Sequence, residues 1–237
     1  MNNKIRLQPL FDLNGQDIIG YEVLYSKFEE RVFPSAVSIL EYISSGNEDN
    51  NSDFKYFINM TNEDAIDSSF ASAFLNKLDK TSISRERIVL ELNENTTIDL
   101  LSQTKQNLST LCSNGVQVAL DDFGTNFSTL EFMRKFPLDV IKIDKQFIQN
   151  APNSKKDMSL LKFCVDVSHD IGCSVVAEGI ETVEQMQCSI DAGADIGQGF
   201  IFSAPVFSEG CVNNPFIPLT EFFTYLSTLA IPQRSVA

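Results

Sequence analysis

Two adjacent aspartates, Asp121 and Asp122, end the apolar run V-Q-V-A-L and are followed at once by Phe-Gly-Thr. Neighbouring carboxylates repel each other and are costly to bury unless a cation lies between them. A strand ending this way is a candidate metal site, and Gly124 lets the backbone turn tightly beside it. Standing alone, the pair reads more readily as an exposed turn. The wider pattern decides. Polar or charged residues stand at or near the C-terminal ends of strand-like segments all along the chain: Glu22, Asn59, Glu91, Asp121 with Asp122, Lys142 with Asp144, Glu178, and Gln198. Hard oxygen donors without His or Cys suit Mg²⁺ or Mn²⁺ better than Zn²⁺. Asp121 and Asp122 suit two ions about 3.5–4 Å apart, the spacing of two-metal phosphoryl enzymes. Lys142 among carboxylates stays charged and available to a phosphate oxygen or a metal-bound water. From the residues alone the chemistry is metal-assisted hydrolysis of a phosphoester.

The elements that must position these groups follow from patterning. Residues 5–11 and 18–24 read as strands joined by an Asn14-Gly15 turn, which makes the first two strands antiparallel neighbours. Residues 34–43 have helical spacing, and 44–53 are polar and turn-rich, an exposed loop. Strands are then predicted at 56–60, 87–92, 116–122, 140–144, 174–178 and 196–200. Helices are predicted at 69–78, 100–112, 128–134, 155–171, 182–192 and about 219–229, with stops at Gly115, Gly172 and Gly193. Such alternation implies parallel strands with helical crossovers, and eight strands in this length fit a closed (β/α)8 TIM-like barrel whose first strand runs antiparallel to the rest. An open doubly wound sheet is the alternative, but no glycine-rich phosphate loop is present. In a barrel the strand ends converge on one face. The period of two places Phe57 with Asn59, Val89 with Glu91 and Asn93, Val140 with Lys142 and Asp144, and Val176 with Glu178 on the inward face. The alternate residues Ile141, Ile143, Val175 and Ala177 are apolar and suited to packing under helices.

With 237 residues, 43% of them hydrophobic, the chain is expected to form one barrel domain over 1–237. It has no apolar run of about 18 residues and no signal-peptide core, so neither a membrane span nor export is expected. Five scattered cysteines without a C-x-x-C read as reduced thiols of a cytoplasmic protein. The lone histidine, His169, lies near a helix end and argues against His-based catalysis. A net charge of −14 repels nucleic acid and anionic lipid, and neither is an expected partner. A small anionic ligand remains compatible if metal ions and a few placed cations reverse the local field.

The motifs Q-P-L-F (8–11), Y-E-V-L (21–24), I-N-M-T (58–61), L-E-L-N-E (90–94), L-D-D-F-G-T-N-F-S-T-L (120–130), I-K-I-D (141–144), V-V-A-E-G-I-E-T (175–182) and G-Q-G-F-I-F-S-A-P (197–205) occur in one order. Together they resemble the EAL family, bacterial phosphodiesterases that open the second messenger cyclic di-GMP. The resemblance implies that Glu22, Asn59, Glu91 and Asp121 hold one divalent ion and that Asp121, Asp122 and Glu178 hold a second. It implies that Glu178 and Lys142 position and activate the attacking water, with Glu178 as base, and that Glu22 belongs to the catalytic set. Gln8, Leu24, Asp144, Glu181 and Gln198 match positions around the substrate. Glu94 matches an acid that steadies the loop after Asp122, which couples the family's dimer interface to the metals. A homodimer and the linear product pGpG are likewise implied.

The departures bear on the reading. Ser26 stands where the family usually has an arginine that contacts ligand phosphate, and the segment from Glu22 to Asn59 is short. Asn126, Phe127 and Asn93 replace the usual Gly, Tyr and Thr. The alternative is a non-catalytic EAL-like regulator that binds cyclic di-GMP or a protein partner. A third reading is a hydrolase for another phosphoester.

Overall fold

The computed structural model describes residues 4–15, 17–26, 35–46, 53–93, 101–124 and 129–207. Its first strand, β1 (Lys4–Asp12), pairs antiparallel with β2 (Ile18–Ser26) across the turn at Leu13 to Gly15. A connection this short permits only an antiparallel return. From there the chain alternates. Helix α1 (Ala36–Gly46) leads to β3 (Lys55–Met60), and α2 (Asn62–Ile66) and α3 (Phe70–Leu78) lead to β4 (Ile88–Asn93). Helix α4 (Leu101–Ser113) precedes β5 (Gln117–Phe123), and α5 (Thr129–Lys135) precedes β6 (Val140–Ile143). Helices α6 (Lys145–Asn150) and α7 (Lys155–Asp170) precede β7 (Ser174–Ala177), and α8 (Val183–Ala192) precedes β8 (Ile196–Gly197). A two-residue strand, β9 (Val206–Phe207), follows.

Strands β2 to β8 are hydrogen-bonded in parallel in sequence order, and β1 closes the barrel between β2 and β8, antiparallel to both. The closed mixed barrel with its antiparallel first strand is the architecture expected from the sequence. On the edge of β1 away from β2, β8 pairs with Phe11 and Asp12 at the base, and β9 pairs with Arg6 and Leu7 at the mouth.

The barrel interior has two storeys. Its floor is apolar: Leu10, Phe57, Val89, Ala119, Val140, Val176 and Ile196 pack as one cluster. Two residues further along each parallel strand, hence on the same face, stand Asn59, Glu91, Asp121, Lys142, Glu178 and Gln198. Residues on the alternate face, Ile58, Leu90, Leu120, Ile141, Val175 and Ala177, join the larger core between barrel and helices.

At the base two aspartates repeat one clamp. Asp139, one residue before β6, accepts from Val118 N at 2.8 Å and returns its own N–H to Val118 O. Asp195, one residue before β8, accepts from Val175 N at 2.7 Å and returns its N–H to Val175 O. His169, the predicted helix-end histidine, lies 2.8 Å from the same Asp195 oxygen.

Several boundaries differ from expectation. Helix α1 extends through Gly46, so the expected loop starts later, and its residues 47–52 lie outside the described ones. Short α2 and α6 were not expected, because one and a half turns carry too few apolar positions to show a period. A capping box on Thr61 and Asp64 secures α2, and Asp144 Oδ1 accepts from Gln146 N at 2.8 Å to start α6. Strand β8 stops at Gly197 rather than residue 200, since the chain turns at Gly199, where a Cβ would collide with the Ile180 backbone. The expected helix at 219–229 and Cys211 lie outside the described residues.

Candidate active site

Lys142 is the hub of the upper storey. Its side chain is 1% exposed, and its Nζ lies 2.7 Å from Glu91 Oε1, 2.8 Å from Glu178 Oε1, 2.9 Å from Asp121 Oδ1 and 3.8 Å from Glu22 Oε1. Burial favours the neutral amine, yet Asp121, Glu178, Glu22 and Glu91 together hold its pKa well above the ordinary lysine value. Gln198 Nε2 donates to Glu22 Oε2 at 2.6 Å and fixes that carboxylate from the other side. Glu178 and Gln198 lie just past their strands, but Glu178 N donates to Ile143 O and Gln198 N to Ala177 O. The ladder therefore continues through both residues and aims their side chains inward.

Consecutive residues on a strand point to opposite faces, so Asp121 and Asp122 should not reach one site. The backbone resolves this. The β5–β6 register shifts between Leu120 and Phe123, and Asp122 has φ 59°, the one non-glycine residue in the left-handed region among those described. Asp tolerates this conformation better than most residues, at a cost of about 1–2 kcal/mol. The bulge turns Asp122 back beside its neighbour, where its Oδ2 accepts from Asn93 Nδ2 at 2.8 Å. Gly124 follows with φ 96°, and a Cβ there would lie 2.6 Å from the Phe147 ring. Residues 125–128 of the expected movable loop, and Glu94, lie outside the described residues.

Ligand oxygens of Asp121, Asp122 and Glu178 lie within 4.8 Å of one another, a spacing that accommodates one cation. Both oxygens of Glu91 and Oδ1 of Asp121 are buried without a hydrogen-bond partner among the described residues. Glu91 Oε1 and Asp121 Oδ1 face the Lys142 ammonium as ion-pair partners, which leaves Glu91 Oε2 an orphaned acceptor. Five carboxylates share this storey with one ammonium. The surplus shows in their protonation. Burial pushes Glu91 well above the carboxylate range, and burial with the nearby Asp121 charge raises Asp122. Glu178 is raised to about 8 by burial, against the pull of Lys142. An all-oxygen, over-acidic and partly unpartnered set fits hard divalent cations.

The remaining expected residues divide. Gln8 pairs in register with Glu22 and Leu24 with Arg6, placing Gln8 and Leu24 at the mouth; Asn59 pairs with Glu91. Asp144 is buried and occupied in capping α6. Glu181 is exposed and not drawn into the cluster; its backbone N–H donates to Gln185 Oε1 at 2.7 Å. Asn93 was placed on the inward face and noted as a departure but given no role in the site; its position two residues beyond Glu91 was the signal for its contact with Asp122. No described helix is long and apolar enough to cross a membrane.

Residues 24–205 match the sequence profile of the EAL domain. Over 137 residues the chain is 35% identical to the cyclic di-GMP phosphodiesterase PdeL of Escherichia coli K12, covering 58% of this chain and 38% of that protein. Over 160 residues it is 32% identical to the cyclic di-GMP phosphodiesterase NbdA of Pseudomonas aeruginosa, covering 67% of this chain and 19% of that one. The matches span between 16% and 38% of the first curated relatives' length. Among solved structures, the c-di-GMP-bound form of a standalone EAL protein from Vibrio cholerae O395 superposes with a TM-score of 0.75 at 21% identity, over 87% of this chain and 93% of that one. That likeness establishes the fold.

Proposed function

The chain belongs to the EAL domain family, and from that premise we propose that it is a phosphodiesterase that hydrolyses cyclic di-GMP to linear pGpG. The observation that carries this reading is the intact carboxylate ring around Lys142, with Asp121, Asp122 and Glu178 gathered at one point. The names of the relatives from E. coli and P. aeruginosa support the substrate. Two Mg²⁺ or Mn²⁺ ions held by Glu22, Asn59, Glu91, Asp121, Asp122 and Glu178 would supply Lewis-acid stabilisation of charge on the phosphate. Glu178, beside Lys142 at the inward end of its strand, takes the proton from the attacking water. Lys142, 2.8 Å from Glu178, orients that water and offsets charge on the phosphoryl oxygens. The water oxygen bonds to phosphorus as the P–O3′ bond of one of the two ring phosphodiesters breaks, and the departing 3′ oxygen takes up a proton from solvent to become the free 3′-hydroxyl of pGpG. Gln8, Leu24, Gln198, Asp144 and Glu181 belong to the substrate surround in this reading, and Glu94 steadies the loop after Asp122. A cytoplasmic homodimer completes it.

The test is chromatographic detection of pGpG from purified protein with cyclic di-GMP and Mg²⁺ or Mn²⁺, with and without chelator. Turnover should vanish with chelator and in Glu22→Ala and Glu178→Ala; equal turnover in those variants rejects the mechanism. Ser26 favours a second reading, a regulator that binds the dinucleotide or a protein partner without cleaving it. Tight binding with no pGpG would select that reading.

A further inference from the structure

From the position of one arginine on β1 we infer that Arg6 is the phosphate-binding cation at the mouth, a role that rests on the proposed cyclic dinucleotide reading. Three observations converge on it. First, direction: β1 runs antiparallel to the other barrel strands, so lower residue numbers lie nearer the mouth. Leu10 is in the apolar floor, Gln8 is paired with Glu22 in the acidic storey, and Arg6 is paired with Leu24 one pleat further out on the same face.

Second, no described residue takes up the Arg6 side chain. Its Nε is buried without a hydrogen-bond partner among the described residues, and Arg6 has no ion pair with a described carboxylate. A buried guanidinium nitrogen without an acceptor among the described residues is costly unless an acceptor arrives. Lys142, by contrast, is fully engaged with its carboxylates.

Third, the backbone beneath Arg6 is rigid. Arg6 is matched to Leu24 on one edge and to Phe207 of β9 on the other, so β1 is paired on both sides at this residue. Such a support fixes where the side chain leaves the strand, and the planar fork it carries suits a bidentate contact with phosphate oxygens. β2 carries neither arginine nor lysine between Ile18 and Ser26, so this strand pair supplies its cation from β1.

The test compares wild type with Arg6→Gln and Arg6→Lys, with Lys162→Ala on exposed α7 as a distant charge control. KM and kcat are measured with Mn²⁺, Kd for cyclic di-GMP by calorimetry in chelator, and folding by thermal melting. Arg6→Gln should raise KM and Kd by about 10- to 100-fold, the usual worth of a charged hydrogen bond. Its kcat should stay within about threefold of wild type, the pattern of lost uniform binding. Arg6→Lys should recover part of the loss, since a point charge replaces the fork. KM and Kd unchanged in Arg6→Gln would overturn the assignment while leaving the proposed function standing. A lower melting temperature with unchanged Kd would overturn it equally, by making Arg6 structural. A wild type that neither binds nor cleaves cyclic di-GMP would sink the proposed function and this role with it; binding without cleavage would leave the Arg6 test to Kd.

Discussion

Replacing Lys142 by methionine should take from the ion-free barrel the one ammonium that offsets its surplus of carboxylates. Methionine matches the length of the lysine stem, so no cavity accounts for the effect. The ammonium is 1% exposed and makes three contacts of 2.7–2.9 Å with Glu91, Glu178 and Asp121. Removing one partner of a buried ionic cluster costs about 3–5 kcal/mol, because the other charges stay buried and uncompensated. For a domain of this size that corresponds to a melting-temperature loss of about 6–20 °C. Measured by calorimetry at pH 7.5 in chelator, the loss should appear in full. Millimolar Mg²⁺ or Mn²⁺ should restore much of it, since a divalent ion replaces the missing positive charge. At pH 5 the loss should shrink, because the carboxylates can then take up protons. A Lys142→Met protein that melts within about 2 °C of wild type in chelator, or that ions do not rescue, would refute the idea that this ammonium holds the ion-free site together.

Two further outcomes are expected. Glu178 is raised from 4.5 to about 8 without ions, so the fold binds a proton there that the unfolded chain has released. The stability this contributes is complete below pH 4.5 and is lost as pH rises to about 8. Ion binding must expel that proton, so apparent metal affinity should rise by about tenfold per pH unit up to that value. Calorimetry at pH 7 in buffers of different ionisation heat should detect proton release, and its absence would contradict the raised pKa. Gly124→Ala places a Cβ against the Phe147 ring at φ 96°, and should cost about 1–3 kcal/mol and most of the activity. Gly124→Ala with Phe147→Leu should recover more activity than stability if space rather than φ is limiting, as melting and turnover together would reveal.

The inward storey was legible because charge on a period of two is expensive in a barrel interior, and Asn59, Glu91, Lys142 and Glu178 were each flagged by an apolar partner two positions earlier. Val89 announced Glu91, Val140 announced Lys142, and Val176 announced Glu178. Asp122 was legible only as chemistry. Nothing in the alternation says that the residue after Asp121 turns back to the same face, because that depends on a bulge and a left-handed backbone. Asp144 shows a second use of such a position: it was read as a site residue on the inward period, and its Oδ1 also caps a helix too short to leave a periodic trace. Arg6 escaped notice because a lone arginine near a chain start resembles a solvated strand end, and its orientation depends on the antiparallel run of β1.

The paired clamps of Asp139 and Asp195 give the molecule a division of labour. Both join neighbouring strands at the base through backbone groups, and neither shares an atom with the carboxylates at the mouth. The base works as a chassis and the mouth as an interchangeable tool head. Substitutions among the carboxylates at the mouth therefore leave these two strand-joining clamps untouched beneath them.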